Sequence, residues 1–290
     1  MKIKRKPVDI LFDTFNVNFM AFVVVIMLYP FWYVMIGSVS SMGHMISGGF
    51  VLWPDGLNLT AYQQVFRDAL VPTAYRNTII VTAGGTAISM VLTILGAYVL
   101  SLKDLPGRSG VTMFFVFTML FSGGLIPQYL VVNGIGMTNT LWALIIPGAI
   151  STYNMILMRN FFQSVPYSLY EAASIDGETM LGYMRHILLP LSGAAIATIS
   201  LFYAVGYWND YFKSIIYIRS RNLWPMQTLL REMMQASTLD SLLYDGMEDT
   251  LPSETLKYAM IVVAMLPILC VYPFVQKYFV KGVMVGSLKG

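Results

Sequence analysis

Glu171-Ala172-Ala173-Ser174-Ile175-Asp176-Gly177-Glu178-Thr179-Met180-Leu181-Gly182-Tyr183-Met184-Arg185-His186-Ile187-Leu188-Leu189-Pro190 is a polar stretch set between long apolar spans. Its order is Glu-Ala-Ala, three residues, Gly, nine residues, then Ile-x-Leu-Pro. At about 5–10% usage per residue type, that joint pattern arises by chance on the order of once in 10⁸ starts. Pro166 can open a helix just ahead of it, and Ser168-x-x-Glu171 has the spacing of a capping box. Ala173 and Gly177 lie four apart and predict a low-profile face against which another protein can close. Gly177 also permits a bend, so one helical piece is expected to turn into a second near 178–188. Pro190 then marks entry into the next apolar span.

Working outward, the chain is 57% hydrophobic and only 11% charged. Its mean hydropathy of +0.65 is far from that of an ordinary soluble domain. Such a composition specifies an all-α integral membrane protein, because lipid tolerates only backbones that satisfy themselves. Cys270, the single cysteine, lies in an apolar run and reads as packing; a disulfide framework and a thiolate metal site are both excluded.

A charge at bilayer depth costs at least about 2.5–3.5 kcal/mol, so charge-free intervals delimit the spans. They predict six transmembrane helices, near 17–36, 78–100, 111–132, 140–158, 191–208 and 258–276. The third and fourth come from one uncharged interval, 109–158, which exceeds a single crossing of about 20 residues. Polar residues 133–139 divide it. The first span is too long for a leader's apolar core and lacks a small-x-small cleavage pattern after it, which suggests a retained anchor.

Lys2, Lys4, Arg5 and Lys6 precede the first span and are expected to stay in the cytoplasm. Six crossings return Lys277, Lys281 and Lys289 to the same side, so both termini are expected to be cytoplasmic. The basic loop at Lys103 and Arg108 and the segment 166–190 then also face the cytoplasm. Most of the 18 Lys and Arg lie inside in this arrangement. The chain is expected to be one transmembrane domain over 1–290, with a cytoplasmic N-terminus at 1–16 and a core at about 73–276. An extracytoplasmic loop at 210–257 and a cytoplasmic tail at 277–290 complete it. Within the outer segments, 59–66 and 223–235 have helical character. Gly and Pro interrupt most spans, as is common in packed membrane helices.

The spaced pattern at 171–190 resembles the EAA loop of ABC-importer permeases. Phe121-Ser122-Gly123-Gly124-Leu125-Ile126-Pro127, Met158-Arg159-Asn160-Phe161-Phe162, Trp208-Asn209-Asp210 and the tail 281–290 are similar to carbohydrate permeases of the maltose-transporter inner type (MalG-like), LplC/YtcP branch. The resemblance implies a type I ABC importer permease fold and inward translocation of a sugar or oligosaccharide in a bacterial plasma membrane. It also implies a homologous second permease, a dimeric cytosolic ATPase that uses ATP and Mg, and an extracytoplasmic sugar-binding protein. By resemblance, Glu171, Ala172, Ala173, Asp176, Gly177, Ile187, Leu189 and Pro190 form the ATPase-coupling segment, and Gly286, Ser287 and Lys289 a tail reaching the ATPase.

Gln128, Tyr153, Asn154, Trp208 and Asn209 are candidates for the substrate path, since aromatic rings stack on sugar faces and amides bond hydroxyls. An interfacial aromatic belt with interhelical hydrogen bonds is the competing account. Membrane lipid is an expected partner, nucleic acid is not, and no cofactor or metal is expected on this chain. An ion-coupled carrier would need ionisable residues within its spans, which are absent from those intervals. His44 and His186 are the only histidines, and no hydrolase motif or phosphate-binding Gly-x-x-x-x-Gly-Lys-Ser/Thr occurs, which argues against an enzyme. A permease for peptides or other small solutes shares the EAA loop and is the main alternative.

Overall fold

The computed structural model describes residues 7–40, 52–54, 56–243 and 254–287. These are helical with connecting turns, and no strand occurs among the described residues. Contacts divide the chain into two units, residues 1–68 with 232–266 and residues 69–231 with 267–290.

In the first unit, α1 (Pro7–Val39) carries Pro30 within it. Its stretch Ile10–Val39 is long and apolar enough to cross a membrane. Most of its large apolar side chains, Leu11 and Phe22 among them, are exposed, as expected of a surface whose solvent is lipid. Helix α2 (Thr60–Arg67) matches the expected short outer helix. Its Tyr62 hydroxyl meets Ser38 Oγ at 2.7 Å, and the Asn58 N–H donates to Val39 O at 2.8 Å, closing the outer segment onto the end of α1.

The second unit is organised around α3 (Leu70–Ser101), the other helix long enough to span. After it come α4 (Arg108–Leu120), α5 (Leu125–Gly134), the single turn α6 (Trp142–Ile145) and α7 (Thr152–Ser164). The chain continues through α8 (Ser168–Ile175), α9 (Met180–Tyr183) and α10 (Leu189–Leu191) into α11 (Gly193–Asn209) and α12 (Phe212–Tyr217). Helices α13 (Met226–Leu243) and α14 (Glu254–Ser287) follow, each divided between the two units.

Helix α3 packs chiefly on α11 and α7. A Cβ built on Gly85 would lie 2.7 Å from the Tyr207 ring, so only glycine admits this approach. The tyrosine hydroxyls are then satisfied within the bundle. Tyr207 Oη donates to Ile145 O at 3.1 Å and meets Ser89 Oγ at 2.9 Å. Tyr203 Oη meets Thr93 Oγ1 at 2.7 Å and accepts from the Ser151 N–H at 3.0 Å. In hydrocarbon an unmet hydroxyl is costly, so these bonds fix rotation and depth together.

At the other end of α3, Asn77 Nδ2 donates to Asn222 O at 2.8 Å and Thr78 Oγ1 accepts the Met226 N–H at 2.8 Å. Asn139 has φ +60°, and its Oδ1 accepts the N–H groups of Arg219 and Ser220 at 3.0 and 2.9 Å. Its own N–H donates to Tyr217 O at 2.7 Å. The loop 133–139 is thereby pinned to the segment after α12.

Two expected spans differ from the structure. The interval 111–132 is not one helix: α4 and α5 meet at 110°. Gly124 at φ +86° and the extended Phe121 make the break, and the Ser122 hydroxyl accepts the Gly124 N–H at 3.2 Å. The interval 140–158 is also broken, with α6 leading through a 3₁₀ turn (Ile146–Gly148) before α7 begins at its Ser151 cap. A proline within that turn and a missing charge signal explain why hydropathy alone joined them.

Substituting Gly85 by Val should push α3 and α11 apart. A loss of about 1–3 kcal/mol is expected for such overpacking, read as a lower unfolding temperature of the detergent-purified protein. Gly84→Ala, where a built Cβ meets only Ile145 at 3.8 Å, should leave it unchanged.

Candidate functional site

The Val165 N–H closes α7 onto Phe162 O, after which Pro166 and Tyr167 lead into α8. Tyr167 is the N-cap and is helical, with no side-chain cap bond, so Ser168 already lies inside the first turn. The expected capping box is therefore not formed. Glu171 sits in the first turn, where a carboxylate complements the helix dipole. Its side chain is exposed and makes no hydrogen bond among the described residues.

Ala173 departs from expectation. It is 4% exposed and belongs to the same buried cluster as Tyr98, Tyr183 and Leu188. Small size there serves packing of α8 onto the core rather than an outer surface. The outward side of α8 instead carries Ala172 and Ile175, the latter 86% exposed.

Gly177 ends α8 at φ +79°. The Glu178 N–H donates to Ala173 O at 2.9 Å and the Gly177 N–H to Ser174 O at 3.2 Å. This is a Schellman termination, and the left-handed residue it requires explains the glycine. Asp176 is the C-cap and is exposed. The bend expected at Gly177 is present.

Thr179 starts the second piece, its Oγ1 accepting the Gly182 N–H at 3.1 Å. Helix α9 widens into a π turn (Met184–Leu188), where the Leu189 N–H donates back to Met184 O, before α10 begins. Pro190 has no N–H to offer and crowds the carbonyl four residues back, so the widened turn accommodates it. Leu188 is buried, Ile187 and Leu189 pack against the core, and Pro190 is exposed. The axis turns by 82° into α11. Glu178 Oε1 pairs with His186 Nδ1 at 2.9 Å across this second piece.

A tyrosine cluster, not anticipated from sequence, holds the two pieces. Tyr170 meets Tyr183 edge-on at 5.1 Å and Tyr167 at 5.4 Å, while Tyr98 Oη donates to Met180 O at 3.1 Å. Lys103 Nζ lies 4.6 Å above the Tyr167 ring. Partial burial, followed by the Asp104 carboxylate, raises the Tyr167 phenol above its ordinary range. The spacing of Tyr167 and Tyr170, three apart, was the one available signal. Between this cluster, the loop after α3 and the end of α7 lies a groove of about 850 Å³. Beside it, Leu181 is 68% exposed and Met180 47%.

The path candidates do not share one cavity. Trp208, 7% exposed, lines a groove of about 460 Å³ between α3 and α11 with Thr82, Thr86 and Ser200. Its Nε1 and the hydroxyls of Thr82 and Thr86 have no partner among the described residues. Asn154 is buried at the start of α7, and Tyr153 beside it is exposed. Gln128 is exposed on α5, and Asn209 Nδ2 donates to Val205 O at 3.0 Å. Tyr203 and Tyr207 serve the bundle core. In the tail, α14 continues through Gly286 to Ser287, and Lys289 lies outside the described residues.

An all-helical membrane bundle bearing an exposed, glycine-turned joint of this form defines a transporter subunit rather than an enzyme. The family profile for "Binding-protein-dependent transport system inner membrane component" matches residues 109–285, and the chain belongs to that family. It is 44% identical over 282 residues to the "Polygalacturonan/rhamnogalacturonan transport system permease protein YtcP" of Bacillus subtilis (strain 168), covering 97% of this chain and 99% of that protein. It is 43% identical to "Protein LplC" of the same organism, covering 96% of this chain and 95% of that protein.

A solved bacterial ABC transporter "involved in the import of the acidic polysaccharide alginate" superposes with a TM-score of 0.85 at 32% identity. That match covers 96% of this chain and 100% of its own. The fold is that of a type I ABC importer permease, as expected, and the protein is an integral membrane transport component.

Replacing Gly177 tests the turn. Val should cost about 1–2 kcal/mol at a left-handed position, whereas Asn, which tolerates that conformation, should cost clearly less. Protease nicking between Ile175 and Thr179 in the purified protein should rank Val above Asn above wild type.

Proposed function

We propose that this chain is one of two permease subunits of a binding-protein-dependent importer that moves an oligosaccharide inward, driven by a separate ATPase. The observation that carries it is the joint at 168–191: two helical pieces set by Gly177, with Ile175 and Leu181 exposed beside free carboxylates. Burying an aliphatic side chain of that size contributes about 1.5–3 kcal/mol, so the joint supplies a sound anchor for a cytosolic partner. Glu171 and Asp176 are available for charge-assisted bonds to cations of that partner. Ala172, exposed and small, lets the partner approach; Ala173, Ile187, Leu189 and Pro190 act from behind, seating the joint on the bundle.

Six crossings with both termini in the cytoplasm fit the helices, taking α4–α5, α6–α7 and α9–α11 as broken spans beside α1, α3 and α14. The joint then faces the side where ATP is. In the transport cycle, closure of the ATPase dimer moves the joint, and the 82° turn at Ser192 passes that displacement into α11. Alternating exposure of a central path is the outcome, with ATP and Mg bound by the partner. Gly286, Ser287 and Lys289 extend the contact as a tail. The unpaired polar atoms of Thr82, Thr86 and Trp208 support a second permease or the solute itself meeting α3 and α11. The path candidates Gln128, Tyr153, Asn154 and Asn209 remain assigned to the solute route.

YtcP is named for polygalacturonan/rhamnogalacturonan and the solved transporter for the acidic polysaccharide alginate, and a feature of this chain agrees. On the proposed outer side of residues 69–231 stand Arg76, Lys213, Arg219, Arg221 and Arg231, with Asp210 among them and Asp68 and Glu232 at the two ends of the stretch. Lys213 pairs with Asp210 at 2.6 Å, while Arg76 and Arg219 are exposed. A uronate-containing oligosaccharide suits that surface better than a neutral one or a peptide.

Ile175→Asp with Leu181→Asp should leave membrane insertion intact and weaken co-purification of the ATPase by about thirtyfold or more, from the loss of two buried aliphatic contacts. Gly177→Asp should retain the subunit in the membrane while uncoupling ATP hydrolysis from uptake; normal uptake would contradict the assignment. Uptake of a labelled oligogalacturonide should be competed by other uronate oligomers and not by a neutral glucan. Equal competition would remove the carboxylate preference.

A further inference from the structure

A cavity of about 290 Å³ opens where the first turn of α4 meets α7, lined by Arg108, Ser109, Thr112, Met113, Val116 and Arg159. Two guanidinium groups from different helices thus border one space. Each gives a donor to a carbonyl at the end of α3: Arg159 Nε to Leu100 O at 3.1 Å, and Arg108 Nη1 to Leu102 O at 3.3 Å. A guanidinium has five N–H donors, so most of each fork remains uncommitted. Among the described residues no carboxylate lies within ion-pair distance of either.

The start of α4 adds potential of the same sign. Its N-cap is Gly107, which has no side chain to offer, and the N–H groups of Ser109 and Gly110 find no acceptor in a preceding turn. Thr112 Oγ1 donates to Arg108 O at 2.8 Å, leaving the Ser109 hydroxyl as the uncommitted one at the rim. One and two turns further along α4, Met113 and Val116 make an apolar wall, and Phe114 and Phe117 beside them are exposed. Cations stand at one end and hydrocarbon at the other, in the order a bilayer leaflet imposes.

We propose that this cavity binds the phosphate of an anionic phospholipid from the cytoplasmic leaflet, with the acyl chain lying along Met113 and Val116. Two half-buried cations without a counter-ion repel one another, and a phosphodiester supplies the missing charge while matching the guanidinium fork. A zwitterionic headgroup brings its own cation and gains less. A soluble phosphate would meet the arginines but leave the apolar wall uncovered, which favours the lipid as the source. Basic pockets between helices on the cytoplasmic side recognise lipid headgroups in this way. The site depends on the membrane orientation and not on which solute is carried, so a failed uptake assay leaves it standing.

The test uses full-length protein purified from membranes in mild detergent, with native mass spectrometry for retained lipid. Thermal unfolding is followed after addition of phosphatidylglycerol, phosphatidylethanolamine, inorganic phosphate or glycerol 3-phosphate. Wild type should be stabilised by phosphatidylglycerol above the other additions. R108Q/R159Q keeps an N–H for each carbonyl but removes both charges, and should bind phosphatidylglycerol about thirtyfold more weakly. R108K/R159K should retain the greater part of the binding. Unchanged lipid occupancy in R108Q/R159Q would overturn the proposal. Equal stabilisation of wild type by inorganic phosphate would overturn the lipid assignment. If the glutamine pair does not fold, the wild-type comparison decides: no preference for phosphatidylglycerol over phosphatidylethanolamine refutes the site.

Discussion

The contact between Gly85 and the ring of Tyr207 sets the spacing on which the second unit depends. Membrane helices gain little from excluding lipid, since lipid tails are as apolar as leucine, so close packing and hydrogen bonds must hold them. Gly85 removes the one atom that would separate α3 from α11. With the helices that close, Ser89 and Thr93 reach the hydroxyls of Tyr207 and Tyr203, and those hydroxyls reach backbone at Ile145 and Ser151. Three segments distant in sequence are locked by four short polar contacts. A bundle built this way moves as a body.

The joint has the opposite character. Its pieces are short, and each boundary is made by backbone chemistry: a left-handed glycine at 177, a threonine cap at 179, a widened turn before Pro190. Side chains facing the bundle, Ala173, Tyr183 and Leu188, are buried, while Ile175 and Leu181 point away from it. The segment is thus fastened on one side and unpartnered on the other. Stiffness comes from the tyrosine cluster rather than from helix length, because eight residues of α8 alone would not hold a helix in water.

Much of the fold was legible because charge is so expensive in lipid. The intervals free of Asp, Glu, Lys and Arg found α1 and α3 and their C-terminal ends within about three residues, but placed their starts seven and eight residues late against the apolar stretches Ile10–Val39 and Leu70–Ser101. They failed at 111–132, where the backbone breaks at Ser122-Gly123-Gly124 without any change in polarity, so hydropathy has nothing to register. Gly177 was readable since a left-handed residue all but demands glycine. Ala173 was misread because a small residue suits an open surface and a tight interior equally, and only the packed neighbours decide. Ser168 and Glu171 have capping-box spacing, yet Tyr167 takes the cap, so Ser168 is one residue too far into the helix. The tyrosine cluster spans residues 98 to 183, a separation no local pattern can show.

Asn139 fastens the second unit at the loop before α6. Its side chain holds the backbone of Arg219 and Ser220 while its own N–H holds Tyr217, so the chain up to Ser220 is stapled to the loop before α6. The hold does not stop there: Asn222 and Met226 are tied in turn to Asn77 and Thr78 of α3. A change of length between Asn139 and Met226 therefore breaks a polar contact to the bundle wherever it falls, and drift in length is cheap only past Met226.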